Sequence, residues 1–294
     1  MGKTKIIGEY LTVQASDDKD PALYDCQESG LNRNKLSHYT SAEVLKKIIS
    51  DKVLKFSRID KVNDLLESEL FGNIETSHLV YISCFSHDEF ESVPMWKIYG
   101  KKDQSIRLTL ELVERDFSKN LIESQGNVIN PTDKEIYCFE KKGNPKADWY
   151  LTYSVKDILY KSEDMEKNPI RYYYKKSPDI TREMYNLTPM GSIKREEWSY
   201  EKETRLIAYL RNTVRANETD NKRKDGLPIP DIDYLLVPIK FDKLKSITVT
   251  FSPWMNASTK TDIKLFMEKM SRTELAGVEI KCKNSILTGE TNFN

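Results

Sequence analysis

A chain of 294 residues is long enough to bury a sizeable core, as one large domain or two small ones, and no low-complexity tract divides it. With 38% hydrophobic and 31% charged residues it is no disordered polymer, and with Lys plus Arg equal to Asp plus Glu at 46 each, bulk charge supplies no general attraction to nucleic acid or an anionic membrane. Cys26, Cys84, Cys138 and Cys282 form no CxxC pair, which argues against a zinc knuckle. The opening MGKTKIIGEY lacks a signal-peptide core, and no apolar run nears the roughly 20 residues that span a bilayer, so a cytoplasmic protein with reduced thiols and no membrane contact is expected.

Residues 1–34 are polar, with SDDKDP at 16–21 and a break at Gly30, and read as a loosely packed arm. A single α+β domain is expected over 35–294. Lys35 to Tyr39 predicts a short strand that delivers His38. Thr40 or Ser41 can cap the helix that follows, with Glu43 in its first turn and Val44, Leu45, Ile48 and Ile49 as its buried stripe. Leu54 to Ser57 alternates as a second strand and leads into a turn at Asn63-Asp64. Beyond a charged, helix-like segment, Leu79 to Ser86 is rich in β-branched and aromatic residues and predicts a third strand. Pro94 can open a helical turn carrying Met95, Trp96 and Tyr99, and Ser105 to Leu112 alternates again.

The stretch from about 115 to 195 reads as an insertion, with helical elements at Val155–Leu159 and Tyr172–Tyr174 interrupted by prolines. Trp198 to Leu210 then returns the chain to the sheet. At a strand's two-residue period Glu201, Glu203, Arg205 and Ile207 share one face, and Tyr200, Thr204 and Leu206 the other. Charges leading into an apolar run are costly when buried unless they pair or bind something. Residues 217–230 read as an exposed loop, Tyr234–Ile239 and Ile247–Phe251 as late strands, Thr261–Met270 as an amphipathic helix and Val278–Cys282 as a closing strand.

Familiar catalytic motifs are absent: there is no Walker loop, GxGxxG, HExxH or GxSxG, and three histidines are too few for most multi-histidine metal centres. His38 lies at a strand-to-helix turn, where a side chain reaches a ligand or merely ties down the turn. Trp96 and Tyr99 serve equally as core aromatics, Asn63-Asp64 as a plain turn, and Glu201-Lys202-Glu203 as the charge pattern of a guarded edge strand.

Taken in order, His38-Tyr39-Thr40 before a helix, Leu54-Lys55-Phe56-Ser57, Asn63-Asp64, Ser83-Cys84-Phe85-Ser86, Pro94-Met95-Trp96 with Tyr99, and Trp198 to Arg205 resemble domain of unknown function 2971. Two positions depart from that pattern: Leu65-Leu66-Glu67 follows Asn63-Asp64 where a proline and an acid are usual, and Thr204 stands where an aromatic is common. That family is similar in turn to ADP-ribosyltransferases, including a DNA-modifying toxin group. The resemblance implies a split antiparallel β-sheet core flanked by helices that grips NAD in a cleft, with Glu201-Lys202-Glu203 similar to the ExE of arginine-specific members.

On that resemblance Glu203 stabilises the oxocarbenium-like ribose and Glu201 activates an acceptor. His38, Tyr39, Thr40, Ser86, Trp96, Tyr99 and Arg205 bind the NAD, with His38 and Thr40 on ribose and amide, Trp96 or Tyr99 stacking, and Arg205 binding pyrophosphate or orienting Glu203. No metal is expected there. The implied activity is transfer of ADP-ribose from NAD to a macromolecule, nucleic acid or protein, in bacterial toxin action or anti-phage defence, with the acceptor and oligomeric state open. Two other classes stand beside it: a nuclease holding Mg²⁺ on Asp64, Glu201 and Glu203, with Lys202 nearby though facing away, and a non-catalytic sensor of a nucleotide or phage protein. The first reading requires Glu203 to face His38 across a pocket.

Overall fold

A short run of alternating residues becomes a strand when a neighbour takes up its backbone hydrogen bonds, and here one central strand joins three others. The computed structural model describes residues 27–64, 67, 77–100, 102–123, 128–129, 136–137, 149–161, 171–177, 180–185, 190–212 and 232–288. Strands β1 (Lys35–Ser41), β2 (Val53–Arg58), β3 (Val80–Ser86) and β4 (Ser105–Leu112) form where the sequence pattern places them. They are followed by β5 (Val128–Ile129), β6 (Ile136–Tyr137), β7 (Trp149–Asp157), β8 (Leu159–Lys161), β9 (Arg171–Ser177), β10 (Ile180–Tyr185) and β11 (Ile193–Arg195). The chain closes its sheet with β12 (Glu203–Asn212), β13 (Tyr234–Pro238), β14 (Leu244–Phe251) and β15 (Glu279–Asn284). The helices are α1 (Ala42–Asp51), α2 (Val93–Tyr99), α3 (Phe117–Asn120) and α4 (Ala257–Ser271).

The fold is α+β. Eleven strands make one sheet, in the order β15-β14-β4-β1-β3-β2-β13-β5-β6, with β12 and then β7 laid against β3. All of its pairs are antiparallel except β14 with β15, which α4 connects as a crossover. Strands β9 and β10 form a separate hairpin, and β8 and β11 a short parallel pair.

The sheet splits at β3. One edge of that strand pairs with β12 along its length, from Glu203↔Ser86 to Tyr209↔Val80. Its other edge is shared: β1 touches it only at Ser37↔Ser86, while β2 pairs at Ser57↔Ile82 and Arg58↔Tyr81. Between those contacts Ser83, Cys84 and Phe85 have, among the described residues, no strand on this edge, and a buried backbone carbonyl left open there needs another donor.

Helix α1 covers the core side of this sheet. Ser41 Oγ accepts the Val44 N–H at 3.3 Å, and Leu45, Ile48 and Ile49 are buried with Ala42. At 1.5–3 kcal/mol for each large side chain, those three contribute roughly 5–9 kcal/mol of apolar burial. Val44, expected in the stripe, lies on the outer face at 37% exposure, because the buried positions follow Ala42 by three, six and seven residues. In α4, Asn256 caps the Thr259 N–H at 2.8 Å and Ile263, Met267 and Met270 face inward.

The expected helical elements of the middle segment are corrected. Val155 is buried in β7 opposite Leu206, and Tyr172 to Tyr174 lie in β9. The spacing of Val155, Ile158 and Leu159 satisfies a helical period, but nine registered pairs with β12 decide for strand. Of the expected arm, residues 27–31 are helical and the first 26 lie outside the described residues, as do the 217–230 loop and Cys26 and Cys138. Cys84 and Cys282 are free thiols. Among the described residues no helix is long and apolar enough to cross a membrane.

Candidate active site

The open edge of β3 is filled by His38. Its Nδ1 lies 2.8 Å from the Cys84 carbonyl, and since a carbonyl only accepts, Nδ1 carries the proton and Nε2 is left as an acceptor. Burial pushes the imidazole below its ordinary pKa, against the Cys84 hydrogen bond, so the ring is neutral near pH 7. Where β1 parts from β3 there is a pocket of about 50 Å³, lined by Ser37, His38, Tyr39, Cys84, Phe85, Ser86, Met95, Tyr99, Glu201 and Glu203.

Glu203 begins β12 and Glu201 ends a 3₁₀ turn, Glu196–Glu201, so the two are not on one strand as expected. Lys202 between them adopts a left-handed conformation (φ 43°), which redirects the chain and still leaves both carboxylates facing the pocket. Ser86 fixes that turn by donating to the Glu201 carbonyl at 2.8 Å.

Both glutamates are almost wholly buried, at 2% and 3% exposure, so each needs a counter-charge. Arg205 Nε and Nη2 donate to Glu203 at 2.7 and 2.9 Å, and the same guanidinium reaches Glu67 and the Gly191 carbonyl. Lys194 Nζ lies 2.5 Å from Glu201 and 3.3 Å from Glu203, beneath the Trp198 ring at 4.5 Å. Tyr99 donates its hydroxyl to the other Glu201 oxygen. Burial alone would raise the Glu203 pKa, but Arg205 and then Lys194 outweigh it and hold the carboxyl well below the usual range. Glu201 goes the other way, raised by burial and by the Glu203 charge. Two acids in one site with pKa values pushed apart suit different tasks, one a fixed anion and one a group that exchanges a proton.

Of the nine residues singled out from the sequence, His38, Tyr39, Ser86, Tyr99, Glu201 and Glu203 line this pocket, and Thr40, Trp96 and Arg205 do not. Trp96, at 1% exposure, packs edge-on against Tyr39 at 5.0 Å and donates to Glu91, so it supports the wall and presents no stacking face. Arg205 cannot bind pyrophosphate: all five of its N–H donors are spent on Glu203, Glu67 and Gly191, which leaves the orienting role. Thr40 is buried beyond the pocket. Asp64 is also turned away, held by Arg195 Nη2 and Nε at 2.8 and 3.2 Å.

Residues 95–206 match the family described as protein of unknown function (DUF2971). The matched segment contains Tyr99, Glu201, Glu203 and Arg205, whereas His38 and Ser86 precede it. No curated protein matches the chain. Among solved structures, DarT of Thermus sp. 2.9 in complex with carba-NAD+ aligns with 86% of this chain and 96% of its own, at 8% identity and a TM-score of 0.27.

Three participants were not singled out from the sequence. Lys194, in Ser-Ile-Lys-Arg, reads as a solvated charge but is 4% exposed. Glu67 is the acid that follows Asn63-Asp64 three residues after Asp64, and that displaced acid was its one signal. Tyr160 accepts the Glu203 backbone N–H at 2.9 Å, and nothing in its sequence surroundings marks it.

Proposed function

We propose that this protein is an NAD-dependent ADP-ribosyltransferase-like effector, with an α+β domain of that type, that transfers ADP-ribose to a macromolecule in the cytoplasm. The observation that carries the reading is the Glu203 carboxylate, kept ionised and immobile by Arg205 at a pocket wall that it shares with the neutral His38. Cleavage of the bond between nicotinamide and ribose sends the bonding pair out with nicotinamide and leaves positive charge at the ribose. A preorganised carboxylate stabilises that charge without reorganising, and such a donor or charge is worth about 10²–10³-fold in rate. The acceptor's nucleophile then bonds to the ribose carbon, and its proton passes to Glu201, whose raised pKa suits a base.

His38 offers Nε2 as a polar contact, Ser86 holds the turn with a hydroxyl that donates to the Glu201 carbonyl and accepts the Asp88 N–H, and Tyr99 and Phe85 form the apolar wall. At about 50 Å³ the pocket admits only the reacting end of NAD, so the remainder would lie across its mouth. The nature of the acceptor, nucleic acid or protein, and a setting in bacterial toxin action or phage defence follow the family resemblance. The nuclease reading has less physical support, because Glu201, Glu203 and Asp64 are already neutralised by Lys194, Arg205 and Arg195.

The test uses NAD carrying label on its adenylate half, incubated with the protein and a mixture of nucleic acids and proteins while nicotinamide release is followed. The wild type should release nicotinamide and label one macromolecular class. Glu203→Gln should lower release about 10²–10³-fold. Equal release by a folded Glu203→Gln variant removes the assignment, and tight NAD binding without any turnover by the wild type points to a sensor.

A further inference from the structure

The buried cluster behind the pocket holds three carboxylates, Glu67, Glu201 and Glu203, and two cations, Lys194 and Arg205. Arg205 serves Glu203 and Glu67 and does not reach Glu201, so among the described residues Lys194 is the one cation paired with Glu201. The two cations arrive by different routes. Arg205 lies on β12 in the main sheet. Lys194 lies on β11, whose sheet partner is β8, outside the main sheet.

That small β8–β11 unit is fastened to Glu203 itself. The Glu203 N–H donates to Tyr160 on β8, and the Glu203 carbonyl accepts the Ile158 N–H, each at 2.9 Å. Gly191 makes the approach possible. It takes φ 75°, and a Cβ there would lie 3.3 Å from Ile82 Cγ2.

We propose that Lys194 is a positioning residue for the glutamate pair: its ammonium bridges the two carboxylates, keeps Glu201 ionised beside the ionised Glu203, and so leaves Glu201 a proton acceptor at the pocket wall. The groups facing Glu201 from each surrounding element explain why it is needed. Tyr99 on α2, Tyr160 on β8, Tyr200 on its own turn and Cys84 on β3 are each kept protonated, chiefly by burial, His38 on β1 is kept neutral by burial, and none of them contributes charge. Glu203 on β12 contributes a negative charge, and the guanidinium of Arg205 beside it is shared with Glu67. Without Lys194 two buried like charges would stand together, and one of them takes up a proton. Since Glu203 has Arg205, that one is Glu201, which would then donate where an acceptor is required.

The consequence for catalysis rests on the glycosyl-transfer reading above, but the protonation of Glu201 does not, so the test reads protonation directly. Carboxyl-carbon NMR of glutamate-labelled protein follows Glu201, assigned by its loss in Glu201→Gln, in the wild type, Lys194→Met and Lys194→Arg. Lys194→Met should raise the Glu201 midpoint by about 2 pH units, a hundredfold in proton affinity, and Lys194→Arg should return it to within about tenfold of wild type. An unmoved midpoint in Lys194→Met, or equal shifts in the Met and Arg variants, overturns the proposal.

If Lys194→Met does not fold, Lys194→Met/Glu201→Gln decides the matter, because it removes one charge of each sign. Recovery of folding in the double variant supports the charge role, whereas continued failure means that Lys194 acts through packing alone and the proposal falls. Where NAD is turned over, the acid limb of its pH–rate profile should rise in Lys194→Met together with the Glu201 midpoint. A wild type that leaves NAD intact removes the glycosyl-transfer reading, and the carboxyl titration still judges Lys194.

Discussion

Glu203 and Glu201 sit two residues apart in nearly equal burial, and their partners give them opposite electrostatics. Glu203 has a folded pKa depressed below its ordinary 4.5, to about 2, so its ionised form stabilises the fold. That contribution is present above the ordinary glutamate range and is lost as pH falls through it toward the folded value. Glu67 and Glu201 have raised values, and each relieves strain when it takes up a proton, so their contributions are present at low pH and lost as pH rises through their folded values. The three oppose one another in a simple melting curve, and because the Glu203 charge also raises Glu201 and Glu67, the difference between wild type and Glu203→Gln reads Glu203 together with its effect on them. Glutamine mimics the protonated acid. Wild type should exceed Glu203→Gln by up to about 3 kcal/mol near neutrality, and the gap should narrow from about pH 5 and close only near about pH 2, as pH falls through the folded value. Urea titrations at a series of pH values measure this, and a gap that stays constant with pH would show that Glu203 is not the stabilising anion.

At the scale of elements, strands β1 to β4 are legible from alternation and residue type, and the first helix from a period together with a cap. Helix α1 had Ser41, Glu43 and an apolar stripe, and each is found in its expected role except Val44. Removing the cap with Ser41→Ala should cost about 1 kcal/mol, and Leu45→Ala about 2–5 kcal/mol, because Leu45 is wholly buried. Urea midpoints of the two variants should separate in that order, and equal small losses would mean that α1 is not docked on the sheet. Strand β7 was illegible for the converse reason: no cap or turn fixed its period, and the partner that makes it a strand lies some fifty residues further along. The same non-locality hid Lys194 and Glu67. A lone lysine or glutamate reads as surface until the fold encloses it, whereas Glu201-Lys202-Glu203-Thr204-Arg205 announced itself by placing charges directly before an apolar run. Even that stretch was misread in part, because Lys202 turns left-handed and Glu201 belongs to the turn that precedes the strand.

Across the molecule, β12 is held from both faces, and the rear face shows how the first described residues bear on the site. Thr204 points away from the pocket and donates to Asp157, so its lone pair accepts the proton on His87 Nδ1 at 3.0 Å. Asp157 in turn receives Arg33 at 2.7 and 3.2 Å. The segment carrying Arg33 reaches β7 only because Gly30 has no side chain: a Cβ there would stand 2.7 Å from Lys156 Cα, 2.8 Å from its nitrogen and 2.8 Å from the Val155 carbonyl. Those are backbone atoms of a strand paired with β12, and they cannot turn aside as a flexible side chain would. Gly30→Ala must therefore lift residues 27–33 off β7 and withdraw Arg33 from Asp157. The expected loss is roughly 1–3 kcal/mol in urea unfolding, in the range of other overpacked contacts. Amide exchange in β7 and the start of β12 should quicken, while that of β14 and β15, which sit at the far edge of the sheet, stays unchanged. A Gly30→Ala protein with wild-type stability and wild-type exchange would show that the segment does not pack there, and that Asp157 and Thr204 hold β12 without it.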